Sequence, residues 1–184
     1  MTGGVVLIAI LGAIGLWLIL AYNGLVRLRI RVRNAWSQID VQLKRRYDLI
    51  PNLVNTAKGY LKHEREVLEN VIRARQVAID AKGLRQQAQA ENQLTQTLRS
   101  LFAVAEAYPD LKADRTMASL MEELTSTENR IGFARQHYND SVSGYNTATE
   151  AFPSNIVARL FRFEPSEFFE VEEAAERRPV KVEF

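Results

Sequence analysis

Residues 25–50 read LVRLRIRVRNAWSQIDVQLKRRYDLI, and the spacing of their apolar side chains decides the architecture. Leu25, Leu28, Val32, Trp36, Ile39, Leu43, Tyr47 and Ile50 recur at steps of three and four, which draws one stripe along an α-helix. No glycine or proline interrupts the stretch, so nothing inside it ends a helix. Immediately upstream, Val5 to Val26 carries no charged residue and is mostly Val, Ile, Leu, Ala and Gly. About 20 helical residues, rising about 1.5 Å each, cross the roughly 30 Å hydrocarbon layer, so this segment is long enough to span a bilayer. The two patterns join without a gap. The sequence therefore predicts one helix that leaves the membrane as the first helix of a soluble bundle.

The flanks orient the span. Trp17 and Tyr22 lie toward one end of it, where amphipathic rings favour the membrane interface. Arg27, Arg29, Arg31 and Arg33 follow closely, whereas Met1 to Gly4 holds no basic side chain. Arginine and lysine flanks stay on the cytoplasmic side, which predicts a single-pass cell-membrane protein with its N-terminus outside and its bundle in the cytoplasm. A cleaved signal peptide would carry a basic leader and a small-residue cleavage site, and neither is found, so the reading is an anchor.

The 184 residues, 47% hydrophobic and 25% charged, are a one-domain length of ordinary globular composition. The absence of cysteine excludes disulfides, thiolate metal sites and cysteine nucleophiles together. A net charge of +2 hides an asymmetry: seven basic residues between Arg27 and Arg46 face one acid, Asp40, while the last twenty residues are rich in glutamate. A basic cluster beside an apolar span is a juxtamembrane contact for anionic lipid. A nucleic-acid surface would need basic and aromatic residues spread over a folded face, and no nucleic-acid partner is expected.

Downstream, Pro51 lacks an N–H, which predicts a kink or tight break near Asp48–Pro51. A second helix is then expected to about Ala81, followed by the weak point Lys82-Gly83 and a Gln-rich helix carrying Leu94, Leu98 and Leu101. Tyr108-Pro109-Asp110 reads as a turn, and Asp114 as the cap of a last long helix reaching about Ala151. Its core face is Met117, Leu120, Leu124, Ile131, Tyr138, Val142 and Tyr145. The predicted fold is all-α. It comprises an anchor over residues 1–26, an antiparallel bundle of about four long helices over 27–151, and an aromatic, acidic tail over 152–184. That tail is expected to be extended, ending in Val180, Val182 and Phe184 at period two, and to pack on the bundle or on a neighbouring subunit.

Several strings in this chain resemble the signature of the LemA family: Ala35-Trp36-Ser37-Gln38-Ile39-Asp40, Tyr47-Asp48-Leu49-Ile50-Pro51-Asn52-Leu53-Val54, Tyr108-Pro109-Asp110-Leu111, Thr127-Glu128-Asn129-Arg130-Ile131 and Phe152-Pro153-Ser154-Asn155. The likeness runs from about Tyr22 to Glu170. It implies a membrane anchor followed by a long-helix domain in the cytoplasm. It carries no established enzymatic activity, and members are often encoded beside membrane proteases or other membrane proteins.

No pattern for catalysis accompanies these strings. His63-Glu64 begins a His-Glu-x-x-His metal motif, but Val67 stands where the second histidine belongs, and the other histidine is His137. Glu122-Glu123 and Glu172-Glu173 are adjacent, so on a helix they do not face each other. No catalytic residue, cofactor or metal is expected, and the chain reads as a non-enzyme. The informative cluster is the polar set Asn34, Ser37, Gln38, Asp40, Gln42, Arg45, Arg46 and Asp48, which lies around Ile30 and Val41 on the side away from the core stripe. Amides around apolar residues cost less to desolvate than charges do, which suits a protein contact. Ile30, Asn34, Gln38, Val41 and Arg45, with Phe161, Phe168 and Phe169 of the tail, are the candidate contact residues, and Trp36 and Pro51 are structural. The function expected is a membrane-anchored scaffold that self-associates into a homo-oligomer. The alternative is an adaptor for another membrane protein, such as a quality-control protease.

Overall fold

The computed structural model describes residues 2–169, in which there are six helices and no strand. Helix α1 runs from Thr2 to Lys58 without interruption, α2 spans Arg65–Asp80, α3 Leu84–Glu106, α4 Pro109–Ala113, α5 Arg115–Glu150 and α6 Ser154–Leu160. Four of these are long, as the sequence pattern requires, and α4 and α6 are short additions. At about 1.5 Å per residue α1 is roughly 85 Å long. From Thr2 to Leu20 its side chains are exposed or only partly covered, and this apolar end is long enough to cross a membrane. The predicted strand at Val180, Val182 and Phe184 lies outside the described residues.

Of the kink or tight break expected at Pro51, the break is absent: the helix continues to Lys58, and the chain turns at Gly59–Glu64. A proline at position 51 cannot donate to the carbonyl of Tyr47, four residues back. Arg75 supplies the missing donor from α2, with its Nε 2.7 Å from that oxygen. The carbonyl is satisfied and the helix survives its proline. The chain breaks instead at glycines. Gly59 follows the end of α1, and Gly83, at φ 80°, lies in the left-handed region before α3.

The chain divides into two compact units, one of residues 2–40 with 132–168, the other of residues 41–131 with Phe169. In the first, α1 buries Leu25, Val32, Ala35 and Ile39, and α5 buries Ala134, Tyr138, Val142 and Tyr145. Trp36 meets Tyr138 edge to face at 5.6 Å, and Arg29 acts electrostatically on Tyr145. Seven residues back along α1 thus corresponds to seven forward along α5, which is an antiparallel pair in fixed register. Beyond α6 the chain has no regular secondary structure and docks on α5. Ser166 N–H donates to Asn146 Oδ1 at 2.8 Å, and Asn146 Nδ2 donates to the Ser166 carbonyl at 2.9 Å. Tyr145 and Tyr138 donate their hydroxyls to the carbonyls of Glu164 and Glu167, each at 3.0 Å. Burial raises both phenols above the ordinary tyrosine range, which keeps them as donors.

In the second unit α2 packs against α3. Its core holds Ile50, Leu53, Ala57, Leu68, Val71, Leu94, Leu101, Leu111, Met117 and Leu124. Tyr108-Pro109 does more than turn. Tyr108 is the N-cap and Pro109 the first residue of α4, a position where proline's missing N–H costs nothing. Asp114 caps α5 as expected, its Oδ1 accepting the Met117 N–H at 2.9 Å.

Candidate functional site

The polar face read from α1 divides in the structure. Asn34, Ser37, Gln38, Asp40, Arg45 and Asp48 are exposed and Gln42 is partly covered, but Arg46 is only 2% exposed. The reason lies in the spacing: Leu25, Val32, Ile39, Arg46 and Leu53 stand seven apart, and all five are buried. Arg46 occupies a core position of the helix, and its charge is met there by three other side chains. Its Nη1 lies 3.2 Å from Glu91 Oε2 and 2.9 Å from Glu128 Oε2, and its Nη2 donates to Thr95 Oγ1 at 2.8 Å. Thr95 passes the chain on, donating to Glu128 Oε1 at 3.1 Å. Glu91 is fully buried.

Tyr47, next along α1, completes the carboxylate's shell. Its hydroxyl bonds Glu91 Oε1, and Gln87 Nε2 reaches the same oxygen and the phenol, each at 3.0 Å. Burial first, and the Glu91 carboxylate second, push the Tyr47 phenol far above the ordinary tyrosine range. Four helices are thereby tied at one level: α1 through Arg46 and Tyr47, α2 through Arg75, α3 through Gln87, Glu91 and Thr95, and α5 through Glu128. A buried ion pair adds little net stability over a well-packed apolar core. Beside it a cleft of about 210 Å³ is lined by Arg46, Thr95, Leu98, Arg99, Phe102, Leu124, Thr125, Glu128 and Asn129. Its hydroxyl and carboxyl groups are those of Thr95, Thr125 and Glu128, and no histidine lines it. Among the described residues no group of three or more His, Cys, Asp or Glu is placed to hold a metal ion, and His63 and His137 are both exposed.

The candidate contact residues fall into three groups. Ile30, Asn34, Gln38, Val41 and Arg45 are all exposed, and their steps of four, four, three and four put them on one face of α1. Arg45 pairs with Glu123 of α5 at 2.6 Å, both side chains well exposed. Phe161 and Phe168 are exposed, whereas Phe169 is buried. Trp36 is partly buried and meets the Tyr138 ring edge to face.

Of the interfacial residues, Arg27, Arg31 and Arg33 are exposed, but Arg29 turns in and stacks on Phe163, its guanidinium carbon 5.0 Å from the ring centroid. Tyr22 meets Phe161 at 4.8 Å and Phe163 at 5.6 Å, both edge to face, and Trp17 is partly covered. The sequence reading passed over α6, Glu91 and Glu128. Arg46 was legible by its seven-residue spacing, whereas α6, whose N-cap is Pro153 with no side-chain bond, carries no such signal.

Comparison with known proteins agrees with this architecture. The sequence profile of the LemA family matches residues 35–184. Magnetosome protein MamQ 2 of Paramagnetospirillum magneticum is 25% identical over 185 residues, covering 86% of this chain and 68% of that protein. Magnetosome protein MamQ of Magnetospirillum gryphiswaldense is 24% identical over 178 residues, covering 83% and 65%. Protein LemA of Metamycoplasma hominis is 26% identical over 141 residues, covering 74% and 63%. The chain thus spans about two thirds of the length of these relatives. None of these names is that of an enzyme. With its long helices, its apolar N-terminal segment and a profile match over most of its length, the chain belongs to the LemA family.

Proposed function

We propose that this protein is a non-enzymatic, membrane-anchored scaffold that self-associates at the membrane through the outward face of α1. The observation that carries the reading is the single uninterrupted helix from Thr2 to Lys58, whose apolar end is long enough to span a bilayer and whose exposed face carries Ile30 and Val41 among amides. A helix that is both anchor and bundle member holds its outward stripe at a fixed angle to the lipid. Neighbours in the same membrane then meet with matched orientation and little rotational freedom left to lose. The stripe is of the mixed apolar and amide kind that desolvates cheaply. The buried Arg46 cluster joins α1 to α3 and α5. Basic residues after the span favour a cytoplasmic bundle with the N-terminus outside.

The chain has no cysteine, so single cysteines report contacts without background. Full-length protein carrying Gln38→Cys or Val41→Cys, in lipid nanodiscs or mild detergent, is expected to cross-link to itself, and mass photometry should give a discrete multimer. A monodisperse monomer with no cross-link overturns the proposal. A cross-link from position 38 or 41 to one dominant heterologous membrane protein, without self-linking, replaces the scaffold with an adaptor.

A further inference from the structure

From Phe152 to Phe163 the chain leaves four apolar side chains in the open. Phe152 is 81% exposed and Leu160 67%, and Ile156 and Phe161 are half exposed. Ile156 and Leu160, one turn apart on α6, share a face, while Val157 and Ala158 turn inward and are buried. A free apolar surface of this kind is unfavourable in water.

Its position says what covers it. With Val5 at one edge of the hydrocarbon layer, Tyr22 lies about 26 Å along the helix, near the opposite edge of a layer roughly 30 Å thick. The Phe161 ring sits 4.8 Å from Tyr22, so the end of α6 stands at the level where the lipid stops. Arg159 and Arg162 are exposed on the same segment, no acid falls between Phe152 and Phe163, and Arg27, Arg31 and Arg33 are exposed beyond the span. The backbone is bent to keep this arrangement. Arg162 takes φ 54°, a left-handed conformation unfavourable for a residue with a Cβ. The Phe163 N–H bonds the Ala158 carbonyl at 2.9 Å and the Arg162 N–H the Arg159 carbonyl at 3.3 Å, which together cap the helix. The reversal turns Phe163 in beneath Arg29 and leaves Phe161 out.

We infer that α6 and its flanks form a second membrane contact: a short interfacial helix that lays Phe152, Ile156, Leu160 and Phe161 into the headgroup region of the bilayer spanned by α1, with Arg159 and Arg162 toward lipid phosphates. Apolar rings below and arginines above are the arrangement interfacial helices use. The contact clamps the membrane end of the first unit at two points, α1 and α6, and so restrains rotation about the span. This inference rests on α1 crossing the bilayer and is independent of self-association.

Spin labels on full-length protein in liposomes containing anionic phospholipid test it. Single cysteines are placed at Ile156, at Leu160, at Ile10 in the span and at Val77, an exposed apolar position on α2. Collision with oxygen, which concentrates in lipid, is compared with collision with a water-soluble nickel complex. Labels at 156 and 160 are expected to collide with oxygen more than with nickel, as at Ile10, with the order reversed at Val77. Nickel collisions dominant at 156 and 160 place α6 in water and overturn the inference. Low collision with both agents means a protein covers the face, which overturns it equally. An aqueous reading at Ile10 itself removes the span and the inference together, and is distinguishable from failure at α6 alone.

Discussion

Replacing Arg46 by methionine separates a structural arginine from its exposed neighbour. Methionine keeps most of the aliphatic volume but removes the guanidinium that Glu91 and Glu128 share at 3.2 and 2.9 Å. Glu91 is fully buried and cannot turn to solvent, whereas Glu128 is a third exposed and can. Breaking a buried pair from one side costs about 3–5 kcal/mol, because the remaining charge has no counter-ion. The expected deficit of Arg46→Met is therefore about 3–5 kcal/mol, a loss of roughly 6–20 °C in melting temperature for a chain of this length. Arg45→Met, which removes a pair whose side chains are 45% and 38% exposed, should cost about 1 kcal/mol or less. Both variants are unfolded in the same mild detergent and followed by far-ultraviolet circular dichroism. Adding Glu91→Gln to Arg46→Met should recover much of the loss. Equal deficits for the two arginines, or no recovery on adding Glu91→Gln, would refute the reasoning.

Arg75→Met should destabilise by about 1–3 kcal/mol by leaving the Tyr47 carbonyl without a donor. Adding Pro51→Ala, which restores a helical N–H for that oxygen, should make the Arg75 change nearly neutral in a double-mutant cycle. Asp114→Ala should lower the melting temperature by uncapping α5, and Asp114→Asn should restore most of it. The Asp114 carboxyl is held below its ordinary range, first by the Met117 N–H and then by the Tyr60 hydroxyl. A depressed carboxyl contributes stability that is present above its unfolded value of about 4 and lost as pH falls through the folded value, so Asp114→Ala should flatten the acid limb of the stability profile. The raised phenol of Tyr47 works in the opposite direction. Its contribution is complete below about pH 10 and lost as pH rises beyond it, so wild type should lose stability in alkali more steeply than Tyr47→Phe. Arg162→Gly should be neutral or stabilising by up to about 1 kcal/mol, since glycine takes the left-handed position without penalty.

The long helices were legible in the sequence because each rests on information carried within a few turns of chain. The α1 stripe, the Asp114 cap and the Lys82-Gly83 interruption are all local. What escaped depends on residues distant in sequence. Nothing near Pro51 announces that Arg75, on another helix, will satisfy the freed carbonyl, so the proline reads as a break. Arg46 carries a charge, and charge alone assigns it to the wet face. Only the strict seven-residue spacing with Leu25, Val32, Ile39 and Leu53 argues otherwise, and the two glutamates that make burial tolerable lie 45 and 82 positions downstream. The site is less legible than the fold for the same reason. Helix α6 is two turns long and its apolar residues point outward, so it has neither the length nor the inward stripe by which helices are found.

The account stands on α1 being one continuous helix from lipid into bundle. Hydrogen exchange on the full-length protein in nanodiscs, resolved to single amides between Gly24 and Asp40, tests this most directly. The account predicts continuous protection across Arg27–Arg33, at the level of the flanking turns. A window of fast exchange there would mean a hinge between span and bundle, and the fixed outward face on which the scaffold depends would be gone.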